Sequence, residues 1–208
     1  MAKVTSAMIQ KMRLDKDPVT MLTCTDASFA GMLDQAEVDM FLIGDSLGMV
    51  IQGDNSTLGV TMGDMVYHTR CVAKATNRAL IVGDLPFGSY QKSPEQAIEN
   101  AIELMAAGAQ MVKLEGGVVM SDTVRFLVDR GIPVCGHIGL TPQSVHALGG
   151  FKVQGKSEEA INDLIVAAKA LEQSGASAIV LELVPNDVGR RVTDAINIPV
   201  IGIGAGPY

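Results

Sequence analysis

Tryptophan is absent from this 208-residue chain, and aromatic residues make up only 4% of it. Large rings therefore do not fill the interior, which falls to Ala, Val, Ile, Leu and 12 Met, a set suited to layered aliphatic packing. Cysteine is scarce too. Cys24, Cys71 and Cys135 are an odd, scattered set with no CxxC pair and no Cys/His cluster. That argues against a disulfide framework and against a zinc site, and leaves Cys24 and Cys135 as small buried hydrophobes in apolar runs. Positive charge is in deficit: 16 Lys and Arg face 23 Asp and Glu, giving a net charge of −7. Such a surface repels phosphate backbones, so nucleic acid is not an expected partner. No uncharged stretch approaches the ~20 apolar residues that span a bilayer, and the N-terminal residues lack the apolar segment of a secretory signal. The expectation is a reduced, cytoplasmic setting without a membrane partner.

What the chain does have is a rhythm. Short apolar runs at 19–26, 40–45, 79–86, 109–117, 133–141, 178–185 and 199–206 each end in a polar or Gly-rich turn. Helical patterns fill many of the gaps, at 94–107, 121–129, 157–174 and 187–195. Strands apolar on both faces and alternating with helices predict a parallel sheet covered by helices. Ser93 before Pro94 and Ser157 before two glutamates predict helix starts, and Gly108, Gly131 and Gly175 predict left-handed helix ends. A chain of this length buries roughly 70% of its unfolded surface, enough for one domain over residues 1–208. A (β/α)8 TIM barrel fits better than an open flavodoxin-like sheet, because acidic and polar residues recur at nearly every strand end. Asp26, Asp45, Asp84, Glu115, His137 and Glu182 would ring one mouth, where barrel active sites sit.

The mouth residues point to chemistry. Asp45, Asp84 and Glu115 end successive apolar runs, and carboxylates on neighbouring strands suit a hard divalent ion such as Mg2+. Solvated or helix-capping acids are the plainer alternative. Lys113 shares a strand face with Glu115 by period-2 geometry, so it either holds a substrate carboxylate or pairs with Glu115. His137, between two glycines, is a candidate substrate contact, against the plainer role of a hydrogen-bonded core histidine. Glu182 is the sole charge in a long aliphatic run. Lost hydration should raise its pKa, which makes it the candidate general base unless a cation pairs with it.

Several motifs then coincide: GDSLGMV at 44–50, MVYHT at 65–69, GDLPF at 83–87, KLEGG at 113–117, GHIGLTPQS at 136–144 and GGFKVQG at 149–155. In this order they resemble the ketopantoate hydroxymethyltransferase family over about residues 19–206. The resemblance implies a barrel of the phosphoenolpyruvate/pyruvate superfamily type, assembled as a homo-oligomer, a homodecamer in bacterial members. It implies transfer of a one-carbon unit from 5,10-methylenetetrahydrofolate to 3-methyl-2-oxobutanoate. The product is 2-dehydropantoate, made through a Mg-stabilised enolate in pantothenate biosynthesis. By the same resemblance Asp45, Asp84 and Glu115 serve Mg2+, while Asp45, Ser46, Asp84 and Lys113 contact the oxo acid and Glu182 accepts the proton.

Three departures from the family pattern stand out, the first being Thr25 before Asp26, where members commonly carry Tyr. The segment QGDNSTLGV at 52–60 replaces a typical QGHDSTLPV, and the family continues past Gly206 with an eighth strand and C-terminal helices. A barrel truncated before its eighth strand is expected to expose two strand edges and to lose stability or activity. Two other readings remain at this point: a Mg-dependent carbon–carbon lyase or mutase of 2-oxo acids, and an inactive barrel acting as an assembly subunit.

Overall fold

A computed structural model describes residues 2–208. Its elements in chain order are α1 (Ser6–Asp15), β1 (Met21–Thr23), α2 (Ala27–Gln35), β2 (Met40–Ile43), α3 (Met62–Ala75) and β3 (Leu80–Asp84). They continue with α4 (Pro94–Ala107), β4 (Met111–Glu115), α5 (Ser121–Val128), β5 (Val134–Gly139), α6 (Val145–Leu148) and α7 (Glu158–Gln173). β6 (Ala178–Glu182), α8 (Asn186–Asp194) and β7 (Val200–Ile203) complete the set. All seven strands lie in one sheet in sequential order, every neighbouring pair parallel. An open doubly wound sheet needs a reversal of strand order, and there is none here. The result is the expected (β/α) barrel, nearly closed, with β1 and β7 as the ends of its sheet.

Strand alternation builds two cores. Met40, Leu42, Leu80, Val82, Met111, Cys135, Ala178, Val180 and Ile201 point inward and fill the barrel. The residues between them, such as Phe41, Ile81, Val112, Leu114, Ile179 and Leu181, pack outward against the helices. This explains why the central strands β2 to β6 read as near-continuous apolar runs in the sequence: both of their faces are buried. The floor of the barrel comes from the N-terminal segment, where Val4 and Ile9 join the inner cluster. Arg13 of α1 fastens this floor by donating to the carbonyls of Thr193 (2.7 Å) and Ile196 (3.1 Å). The sequence shows little sign of α1, because Ile9 is its single buried residue.

The expected helix ends are in place. Ser93 and Ser157 accept from the backbone N–H groups of Gln96 and Ala160, and Gly108, Gly131 and Gly175 all have positive φ. Asp26 departs from expectation: it does not join the mouth cluster but caps α2, accepting from Ser28 N–H (2.8 Å) and Phe29 N–H (2.9 Å). Among the described residues no helix is long and apolar enough to cross a membrane.

Asp34 of α2 ties that helix to the entry of β3. Its buried carboxylate accepts from the N–H groups of Asn77 (2.9 Å), Arg78 (3.0 Å) and Ala79 (2.9 Å). Burial alone would raise its pKa, but these donors outweigh burial and hold it below the ordinary value. Asp34→Ala is expected to cost about 3 kcal/mol in urea denaturation near neutral pH, since several N–H groups lose a charged acceptor together. A depressed carboxyl stabilises the fold above its unfolded pKa, and that stability fades as pH falls through the folded one. The gap between wild type and variant should therefore narrow below about pH 4. A gap that widens in acid would contradict this role.

Candidate active site

Strand register decides which side chains meet at the C-terminal mouth. Asp84 pairs with Lys113, Glu115 with His137, and Gly139 with Glu182. Two-residue steps along each strand place polar groups directly above the apolar filling: Lys113 and Glu115 above Met111, His137 above Cys135, Glu182 above Val180. Asp45 lies two residues beyond β2, and its N–H reaches Asp84 Oδ2 at 3.3 Å. Ser46 follows it, half-buried, in the turn leading to the π-helical turn Gly48–Gln52. The acids singled out from the sequence, other than Asp26, therefore share one end of the barrel with Lys113 and His137.

Lys113 is buried and donates to both Asp84 oxygens at 2.7 Å, with Glu115 Oε1 farther off at 3.8 Å. Its ion pair is thus chiefly with Asp84, and the alternative of a simple Lys113–Glu115 bridge gives way to a shared cluster. Burial disfavours the Lys113 ammonium, but Asp84, Glu115 and Asp45 outweigh it and hold the proton above the ordinary lysine range. Burial also pushes the Asp84 carboxyl up to about 7 against the pull of Lys113, and Asp45 and Glu115 add to the rise. Asp45 is raised as well, by burial first and by Glu115, with Lys113 opposing. Glu115 goes the other way: burial is outweighed by His137, Lys113 and the Gln143 N–H.

His137 lies between two carboxylates, its Nδ1 3.5 Å from Glu115 Oε1 and its Nε2 3.3 Å from Glu182 Oε2. Neither approach is aligned as a hydrogen bond, so both ring nitrogens and Glu115 Oε1 are buried without a hydrogen-bond partner. Burial and Lys113 favour the neutral ring, yet the two glutamates prevail and raise its pKa. Glu182 is less enclosed than its aliphatic neighbours in sequence suggest, with its side chain 22% exposed at the mouth. The fifth strand's Cys135 lies inside the barrel, where burial pushes its thiol up to about 12 and removes it as a nucleophile.

Two buried residues at this mouth carry no charge and were not singled out from the sequence. Gln143, in the turn after β5, donates to Asp45 Oδ2 (2.8 Å) and to the Leu85 carbonyl (2.9 Å). Its backbone N–H donates to Glu115 Oε2 (3.0 Å), and Tyr90 donates to its Oε1 (2.6 Å). The GHIGLTPQS segment contains Gln143, but a neutral side chain gives no electrostatic signal in a sequence.

A divalent ion fits this donor set in part. Among the described residues no three His, Cys, Asp or Glu side chains converge as a ready ligand group. Lys113 occupies both oxygens of Asp84. Asp45 and Glu115 differ, since Gln143 takes one oxygen of each and leaves Glu115 Oε1 orphaned in a buried site. One or two direct carboxylates is what Mg2+ usually accepts from a protein. A cavity of about 690 Å³ lies elsewhere, lined by Arg13, Pro18, Arg190 and Tyr208, and contains none of these acids. The mouth, with its convergent charges, is the better candidate for chemistry.

A family model described as ketopantoate hydroxymethyltransferase matches residues 3–208. The chain belongs to the ketopantoate hydroxymethyltransferase family. Membership makes it an enzyme of the hydroxymethyltransferase class. It is 59% identical over 200 residues to the 3-methyl-2-oxobutanoate hydroxymethyltransferase of Methylobacillus flagellatus, covering 96% of this chain and 76% of that one. The enzyme of the same name from Aromatoleum aromaticum is 58% identical over 205 residues, covering 98% and 76%. Among solved structures, a putative phosphonomutase from Burkholderia cenocepacia J2315 matches with a TM-score of 0.73 at 18% identity, covering 95% of this chain and 82% of its own. A 2,3-dimethylmalate lyase, described as a member of the PEP mutase/isocitrate lyase superfamily, gives 0.64 at 12%, covering 96% and 80%. At such identities the likeness is one of fold, the (β/α) barrel of this ketopantoate hydroxymethyltransferase family member.

Proposed function

We propose that this chain transfers a one-carbon unit from 5,10-methylenetetrahydrofolate to C3 of 3-methyl-2-oxobutanoate, forming 2-dehydropantoate for pantothenate biosynthesis. The observation that carries the reading is the Glu182 carboxylate, 3.3 Å from His137 Nε2 and open at the mouth of a site that otherwise suits an oxo acid. Glu182 accepts the C3 proton. His137, between Glu182 and Glu115, lies beside the base and fixes its place at the mouth. Two of the three ammonium donors of Lys113 serve Asp84, and the third remains for the substrate carboxylate. Ser46, next to Asp45, adds a hydroxyl donor for the same group. Mg2+, held by Asp45 and Glu115 with Asp84 beside them, would polarise the ketone and make the C3 proton more acidic.

The same reading makes the chain a cytoplasmic homo-oligomer, for which the exposed side chains of Phe29, Met32 and Tyr67 on α2 and α3 supply apolar surface. The lyase or mutase alternative loses ground on two counts. Relatives nearly 60% identical bear the hydroxymethyltransferase name, and the cysteine of β5 next to the mouth, Cys135, is buried with its thiol pushed up to about 12, so it offers such chemistry no reactive thiol.

Exchange of the C3 proton of 3-methyl-2-oxobutanoate in deuterated water, followed by NMR with Mg2+ present, tests the base. Glu182→Gln is expected to slow exchange by at least about a hundredfold while the oxo acid still binds. Exchange at the wild-type rate in the variant would remove Glu182 from the mechanism.

A further inference from the structure

We infer that Gln143 is a positioning residue whose amide and backbone N–H select which oxygens of Asp45 and Glu115 face the reaction site, with Tyr90 fixing the amide in turn. The inference rests on the reading of this mouth as the active site. Every hydrogen-bonding position of the amide is filled. Nε2 donates to Asp45 Oδ2 (2.8 Å) and the Leu85 carbonyl (2.9 Å), while Oε1 accepts from Tyr90 (2.6 Å) and Gln91 Nε2 (3.0 Å). Turning the amide over would set its oxygen against Asp45 Oδ2 and the Leu85 carbonyl and its NH2 against Gln91 Nε2, so its orientation is determined by the surroundings. Tyr90 is itself fixed, because its hydroxyl accepts the Glu115 N–H at 3.0 Å.

One short turn after β5 thereby reaches Asp45 beyond β2, the carbonyl beyond β3 and the end of β4. The chemistry of an amide suits this place. It binds a carboxylate without adding charge to a cluster where Asp45 and Glu115 already repel each other. A cation there would compete with Lys113 and with a bound metal, and a carboxylate would deepen the repulsion. With Oδ2 of Asp45 and Oε2 of Glu115 held, the oxygens turned towards Mg2+ would be Oδ1 of Asp45 and Oε1 of Glu115, the latter without a hydrogen bond and 3.8 Å from Lys113 and 3.5 Å from His137. Outer-shell partners of this kind typically change metal affinity by 10- to 100-fold when lost.

The test uses Gln143→Met, which keeps length and loses the amide. A crystal structure of the variant decides the positioning claim by itself: rotated Asp45 and Glu115 carboxylates support it, and unmoved ones overturn it. Calorimetric Mg2+ titration is the second readout, with roughly tenfold or greater weakening expected in the folded variant. A residue that merely supports the fold would lower the melting temperature and leave the Mg2+ Kd unchanged, which would also overturn the inference. Tyr90→Phe guards against a variant that fails to fold, and should weaken Mg2+ binding in the same direction through the freed amide; an unaltered Kd there counts against the inference. A wild-type chain that binds no Mg2+ would sink the metal part of the proposed function, while the crystallographic comparison would still decide the role of Gln143.

Discussion

Lys113→Met is expected to destabilise the fold by about 3–5 kcal/mol in urea denaturation and to remove measurable turnover. Lys113 lies 2.7 Å from both oxygens of Asp84 and 3.8 Å from Glu115, and is only 3% exposed. Methionine fills a similar volume, so the loss is one of charge. Asp84, Asp45 and Glu115 are then left buried together without their ammonium, and Asp84 responds by taking up a proton. Its carboxyl already stands at about 7 with Lys113 present, and without Lys113 it rises further. A carboxyl raised above its unfolded pKa favours the fold at low pH and loses that advantage as pH rises through the folded value. The penalty of Lys113→Met should therefore be larger near pH 8 than near pH 5, measured without metal. Pairing the change with Asp84→Asn should recover about 1–3 kcal/mol relative to the sum of the single variants. A variant as stable as wild type at pH 8 would show that the pair contributes nothing to the fold.

Much of this cluster is legible in the sequence because charge inside an apolar run is conspicuous. Asp84, Lys113, Glu115 and Glu182 stand out against Val, Ile and Leu neighbours, and period-2 geometry assigns Lys113 and Glu115 to the interior. The seven-fold rhythm of strands is legible for the same reason, since strands buried on both faces leave continuous apolar runs. Register is a different matter. That Lys113 lies beside Asp84 more closely than Glu115 depends on the pairing of β3 with β4, and no local pattern encodes an offset between two strands. Asp26 misleads because an aspartate at a strand end looks the same in sequence whether it faces the mouth or caps the next helix. Gln143 and Tyr90 are hidden for the opposite reason: their effect comes from four filled amide contacts and a buried hydroxyl, and neutral residues raise no alarm in a charge pattern. The floor helix α1 is hidden because one isoleucine does most of its packing.

Gly139→Ala is the other change expected to be severe, at about 3 kcal/mol or more in stability and about a hundredfold in turnover. Gly139 ends β5 with φ +89°, where any side chain is strained, and it lies against β6 at Glu182. A Cβ there would fall 2.2 Å from the Glu182 carbonyl oxygen and 3.0 Å from its nitrogen. Both are backbone atoms, and that same carbonyl accepts from Leu140 N–H at 2.8 Å. No rotamer change relieves the clash, so the strand ends must separate at the point where His137 faces Glu182 across 3.3 Å. Gly131→Ala supplies the comparison. Its φ is +83°, with nothing within 4 Å of the added atom, so it meets left-handed strain alone and should cost about 1 kcal/mol. Melting curves and turnover for the two variants separate strain from contact. Equal stability losses, with turnover retained in Gly139→Ala, would mean that close approach of β5 to β6 does not set the position of the base.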